Sequence, residues 1–213
     1  MERRSLFYIV FFLACLGTGI TLAQSPKVER IGPAPSRTPP DVKAALEDKG
    51  YRLTLNDGWS AELWLAKDLK LTAKDSPGAL YPALSNSQFV GLINLPKGMS
   101  DFRGQAVPAG EYTLRYQLLP ADANHLGVAP NPDFLLAIPA ASDTKPDTQY
   151  PFDKLVALSM KAAGVHPAVI AMDKAGEAGT ATFNDQHMLV LTVATGGTKP
   201  EKLGIVLKGQ AAQ

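Results

Sequence analysis

From Glu111 onward the chain alternates apolar and polar residues one for one. Tyr112, Leu114, Tyr116 and Leu118 fall on one side, and Glu111, Thr113, Arg115 and Gln117 on the other. A period of two marks a strand with one face toward a core and one toward water. Residues 107–119 therefore predict the strand around which the domain is organised. Pro108-Ala109-Gly110 makes the turn that leads into it, proline fixing φ and glycine permitting a tight bend. At about 3.3 Å per residue the alternating run reaches roughly 30 Å, the full length of a sandwich or barrel strand.

The same period recurs on both sides. Residues 51–55 alternate, Asn56-Asp57-Gly58 is a hairpin turn, and residues 59–66 return with Leu63 and Leu65 inward. Glu62 and Trp64 take the opposite face, which puts Trp64 under a loop or in a second contact. Residues 87–95 predict a further strand, with Phe89, Gly91, Ile93 and Leu95 on one side. Phe134-Leu135-Leu136-Ala137-Ile138 has no polar alternate and reads as a central strand covered on both faces. Residues 168–172, 181–184, 187–194 and 202–207 supply the last strands.

Helical spacing appears chiefly once. Pro151 precedes Phe152, Leu155, Val156 and Ser159, and Gly164 ends the run, which predicts a helix over residues 152–163. A shorter one over residues 41–49 follows Pro39-Pro40. The sum is an all-β fold: an antiparallel β-sandwich (immunoglobulin-like, transthyretin-like or jelly-roll-like) or barrel with one covering α-helix.

Composition fits one globular domain: 213 residues, 46% hydrophobic and 19% charged. The first 23 residues stand apart as an export signal. Arg3 and Arg4 precede an apolar run, and Thr21-Leu22-Ala23 offers a cleavage site before Gln24. The alternatives are an uncleaved anchor and lipidation at Cys15 after Leu13-Ala14. Residues 24–49, with five prolines before residue 41, form an arm over the surface with the short helix; residues 50–208 form the sandwich and 209–213 a tail. Cys15 is the sole cysteine, so cleavage leaves no thiol chemistry. It also removes Arg3, Arg4 and Glu2 from 21 basic and 20 acidic residues, leaving 19 of each. A neutral chain has no electrostatic reason to hold nucleic acid, or a membrane unless the signal is retained or lipidated.

Sequence motifs for catalysis are absent: no Gly-x-Ser-x-Gly, His-Glu-x-x-His, Walker or dinucleotide-binding pattern occurs. No cofactor is expected and the balance is against an enzyme. The best candidate for ligand contact is the aperiodic stretch of residues 120–132. There Asn124, His125, Asn131 and the adjoining Asp133 offer mixed donors and acceptors, and Tyr81, in a Pro/Gly-rich loop, is expected to be exposed and is the further candidate for ligand contact. Weighed against this is a packed loop that merely caps the sandwich. Trp59, Trp64, Tyr81 and Tyr150 could form a stacking platform for sugar, though strand aromatics more commonly belong to cores. His125 with Asp133 and either His166 or His187 is the alternative, a metal site on a metal-binding protein or metal-dependent enzyme.

Phe102-Arg103-Gly104-Gln105, Pro108-Ala109-Gly110-Glu111-Tyr112-Thr113-Leu114-Arg115-Tyr116, Asn124-His125-Leu126-Gly127-Val128 and Asp133-Phe134-Leu135-Leu136 together resemble a group of secreted bacterial β-sandwich proteins of unknown function. Transthyretin-like and carboxypeptidase-regulatory-like domains also use the Pro-Ala-Gly-x-Tyr-x-Leu pattern. The resemblance implies fold and export and transfers no catalytic residue. The expectation is an exported (periplasmic or extracellular) non-catalytic binding or envelope-accessory module, with a glycan or an envelope protein as partner. A structural subunit of an envelope complex is the further alternative. If residues 111–118 are the organising strand, Leu114→Glu buries an unpaired charge and abolishes cooperative unfolding in a circular-dichroism melt; an unchanged melt would refute the assignment.

Overall fold

The structure is a computed structural model describing residues 25–72, 78–119, 129–196 and 200–209. In chain order the elements are β1 (Lys27–Ile31), α1 (Pro40–Ala45), β2 (Gly50–Thr54), β3 (Ser60–Leu65), β4 (Phe89–Leu95), β5 (Met99–Ser100), β6 (Ala106–Val107), β7 (Gly110–Leu118), β8 (Asp133–Pro139), α2 (Phe152–Ala163), β9 (Ala168–Asp173), β10 (Thr180–Phe183), β11 (Leu189–Ala194) and β12 (Lys202–Lys208). Ten strands make one antiparallel sheet in the order β1-β2-β3-β4-β7-β8-β9-β12-β11-β10, and β5 pairs with β6 as a separate hairpin. From β9 the chain crosses to the far edge and returns through β10, β11 and β12, a Greek-key excursion. The sheet curls until β1 lies close to β10. Tyr51 of β2 reaches across, its hydroxyl 3.4 Å from the Ala194 carbonyl and 3.3 Å from the Ala194 amide. The all-β antiparallel class with a covering helix is as the alternation predicts, built as one sheet folded over itself.

The inward residues follow that alternation. Leu53, Leu63, Leu114, Leu135 and Leu191 are fully buried inside the curl, each contributing about 1.5–3 kcal/mol. The helix over residues 152–163 forms with the expected bounds and ends at Gly164, whose φ of 92° lies in the glycine-favoured region. It lays Leu155 and Leu158 on Phe134, Leu136, Ile138 and Val169. Ser159 is buried under it, donating to the Ala137 carbonyl at 2.8 Å and accepting the Ala168 amide at 3.0 Å, so the helix is tied to both β8 and β9.

Three expectations change. Residues 27–31, assigned to the arm, add a strand to the sheet edge, Lys27 opposite Thr54 and Ile31 opposite Gly50. The rest of the arm does cover the surface: Ala34, Val42 and Leu46 pack on Trp64, Phe89 and Leu92, and the Trp64 indole N–H donates to the Gly32 carbonyl at 2.8 Å. Phe89 lies in this outer cluster rather than with Ile93 and Leu95, because the β4–β7 register shifts between Phe89 and Gly91. One extra residue inverts the alternation before it. Gly91 itself is required, since a Cβ there would stand 2.1 Å from the Trp64 carbonyl oxygen.

The largest change is on β7. Thr113, Arg115 and Gln117, predicted to face water, are buried. A strap, residues 140–150, crosses that face and delivers Asp143 to Arg115. The carboxylate takes Nε at 2.7 Å and Nη2 at 2.8 Å. Nη1 donates to the Ser87 and Thr148 carbonyls at 2.9 and 2.7 Å, and Nη2 also to Lys145 O at 2.9 Å. All five guanidinium donors are thereby used. Thr113 adds a 2.7 Å bond to Asp143, and the Tyr150 ring lies 4.8 Å from the guanidinium carbon. Nearer the start of β7, Glu111 accepts Thr38 Oγ1 at 2.9 Å and faces Arg37 Nε at 2.7 Å, so the same strand face also holds the arm. Removing one partner of such a buried pair leaves the other uncompensated. Asp143→Ala should cost about 3–5 kcal/mol in urea unfolding; a loss below about 1 kcal/mol would show that the strap is held by something else.

Candidate binding clefts

Asp133 opens β8 opposite Leu118, fully buried. Its carboxylate accepts the Leu80 amide at 2.7 Å, the Tyr81 amide at 2.9 Å and the Tyr116 hydroxyl at 2.7 Å. Tyr81 is buried, 5% exposed, against the expectation of an exposed ring. Its hydroxyl donates to the Asp173 carbonyl at 2.5 Å and accepts the Gly204 amide at 2.7 Å, joining β9 to β12 where their ladder begins. Asn131 donates to the Met172 carbonyl at 3.0 Å. Three of the residues expected to touch ligand are thus brought near one another, but their polar groups are spent on the fold. Asn124 and His125 lie outside the described residues.

The other candidates disperse. His166 is exposed on the link from α2 to β9, its amide donating to Gln105. His187 is exposed in the β10–β11 turn at φ 59°. Among the described residues no three His, Cys, Asp or Glu side chains are grouped so as to hold a metal ion. Nor do the aromatics make a platform: Trp59 and Trp64 are buried and Tyr150 covers Arg115.

Among the described residues several concavities remain, one of about 430 Å³ beside Tyr81, Lys174 and Lys202, and two others bear on ligand binding. The first, about 610 Å³, opens at one end of the curled sheet between the β5–β6 hairpin and the end of β12. Trp59, Met99, Val107 and Leu207 give it an apolar floor, and Lys97 and Lys208 stand at its rim. The Trp59 indole N–H is bound to the Gly98 carbonyl at 2.7 Å, and Lys208 Nζ lies 5.0 Å from the ring centroid and 3.0 Å from Asp57. The Trp59 amide and then Lys208 hold the exposed Asp57 carboxyl below its usual range. This arrangement can receive an anionic group by charge and hydrogen bonding; it presents no free ring for stacking. Sequence reading singled out Trp59 but not Lys97 or Lys208, which only the sheet's closure brings together. The second concavity, about 220 Å³, lies between α2, β8 and β9 and is almost wholly apolar.

Comparison of the chain with protein-family models, with curated proteins and with solved structures returns no match. No helix among the described residues is long and apolar enough to cross a membrane.

The buried tyrosines make a pH test of the cluster around Asp133. Burial pushes the Tyr81 hydroxyl up to about 12, with the Asp133 and Asp173 charges adding to the effect. Burial and then the bond to Asp133 raise Tyr116 as well. The folded chain therefore keeps protons that the unfolded chain releases near pH 10. Stability from these groups is whole below about pH 10 and falls as pH rises toward 12. Urea midpoints should drop across that window, with tyrosinate absorbance from these two residues appearing only as the fold is lost. Their ionisation near pH 10 in a folded chain would contradict the burial.

Proposed function

We propose that this protein is an exported, non-catalytic binding module of the bacterial envelope, and that it binds an acidic glycan in the Trp59 cleft. The observation that carries the reading is the cleft itself: an open volume of about 610 Å³ with an apolar floor and two lysines at its rim. Sites of this kind, concave with a few convergent polar groups, are where ligands sit. Export is supported by the signal pattern of residues 1–23 and by the resemblance to secreted β-sandwich proteins. A binding rather than a catalytic role is supported by the state of the acid and hydroxyl groups: Asp133, Asp143, Ser159 and Tyr81 are each consumed in structural hydrogen bonds. With Asp133 already accepting three donors, the metal reading through His125 loses its carboxylate ligand.

Trp64 is sealed under the arm, so intrinsic fluorescence changes report on Trp59. Residues 24–213 titrated with uronate-containing and neutral oligosaccharides should show a fluorescence change and a raised melting temperature with the acidic set only. Lys97→Glu with Lys208→Glu should remove both responses. A response to neutral sugars alone, stoichiometric metal in the purified protein, or equimolar co-purification of an envelope protein without glycan binding would each overturn the reading.

A further inference from the structure

The apolar groove between α2, β8 and β9 shares no lining residue with the Trp59 cleft. Phe134 and Leu136 form its base on β8 and Val169 on β9, while Phe152 and Val156 form its wall on α2. Most side chains of these strands' outer faces are sealed by α2, but Phe152 remains 37% exposed at the groove's edge. A large ring left partly in water beside an open apolar volume is an incomplete packing layer. At the groove lies Arg103, from the loop between β5 and β6.

Arg103 is unlike Arg115. Its Nη2 donates to the Pro167 carbonyl at 2.7 Å and stands 3.7 Å from Asp101, but its Nε is shut off from water and has no hydrogen-bond partner. Asp101 does not complete it: that buried carboxylate takes the Arg103 and Gln105 amides at 3.0 and 2.8 Å and the Gln105 side-chain amide at 3.2 Å, with the Arg103 Nη2 held off at 3.7 Å. Native folds seldom leave a buried donor unmet, and a charged one is the costliest to leave so. The loop that presents it is firmly set: Gln105 pairs with both the carbonyl and the amide of His166, fixing residues 101–105 against the α2–β9 link. Nε is closed to an incoming group as it is to water; what an acceptor arriving by way of the groove can meet is the exposed part of the guanidinium, the Arg103 side chain being 25% exposed and lining the volume.

We infer that this groove binds a short acyl chain ending in a carboxylate, the chain lying between Phe152, Val156 and the β8–β9 surface and the carboxylate meeting Arg103. A volume of about 220 Å³ holds roughly seven groups of the size of a water molecule, about 30 Å³ each, which suits a chain of six to eight carbons. A guanidinium partly open to the groove selects an anionic acceptor over an alcohol or an amine.

The test uses residues 24–213 with octanoate, octanol and octylamine, each below its aggregation limit, read by calorimetry and by melting temperature. Octanoate should bind one to one and octylamine should not. Arg103→Met should weaken octanoate at least tenfold while leaving octanol unaffected, as expected for loss of one charge-assisted bond. Val156→Trp, which fills the groove, should abolish binding of both; Val156→Phe, a smaller filler, serves the same purpose if that variant does not fold. Lys97→Glu with Lys208→Glu should leave octanoate binding intact, so that failure of the glycan reading and failure of this one are told apart. Absence of octanoate binding, equal binding of octylamine, or octanoate binding unchanged in the Arg103 and groove variants would overturn the inference.

Discussion

A guanidinium with no water around it must have every donor met, and Arg115 imposes that demand at the middle of the sheet. Its five N–H groups recruit Asp143, Ser87, Lys145 and Thr148 from segments distant in sequence. The strap of residues 140–150 is short on apolar anchors, Ala140 being its one buried hydrophobic residue, so its position is set by polar geometry. A buried pair of this kind need not add net stability over a well-packed apolar one; what it gives is a single allowed placement. Glu111, two register positions from Thr113, does the same for the arm through Thr38 and Arg37. One strand face thereby decides where two coverings lie.

The curl of the sheet depends on tyrosines in a comparable way. Tyr51 spans from β2 to β11, Tyr81 ties β9 to β12, and Tyr116 reaches Asp133 at the start of β8. Each contributes an apolar ring to the interior and a hydroxyl that satisfies backbone or carboxylate groups where strands diverge. The register confirms the need: β9 and β12 share only the pairs Gly204↔Asp173 and Ile205↔Met172 before the ladder ends. Without Tyr81, the Asp173 carbonyl and Gly204 amide would lose their buried partner.

These same demands explain why function was hard to read from the chain. Asp133, Asn131 and Tyr81 combine the polarity and loop context expected of ligand contacts, and a linear sequence does not distinguish a donor aimed at a ligand from one aimed at a backbone carbonyl. The groups that line open space, Lys97 and Arg103 in turns and Lys208 at the end of β12, sit where charged residues ordinarily face solvent, and nothing local marks them. Arg103 stands two residues from both Asp101 and Gln105, yet its unmet Nε is visible only when Asp101, Gln105 and Pro167 are seen around it.

Local pattern by itself determined the strands other than β1, β5 and β6, the inward set Tyr112, Leu114, Tyr116 and Leu118, the doubly covered β8 and the helix from Phe152 to Ala163. These follow from backbone periodicity and from glycine and proline positions, properties of neighbouring residues alone. Tertiary structure decided the rest: that Arg115 is buried, that a bulge turns Phe89 outward, that residues 27–31 complete an edge, and that clefts remain open, among the described residues more than the two beside Trp59 and α2. Each of those outcomes depends on what a distant segment places against the strand, and that is a matter of topology and of satisfying buried polar groups, which no local period encodes.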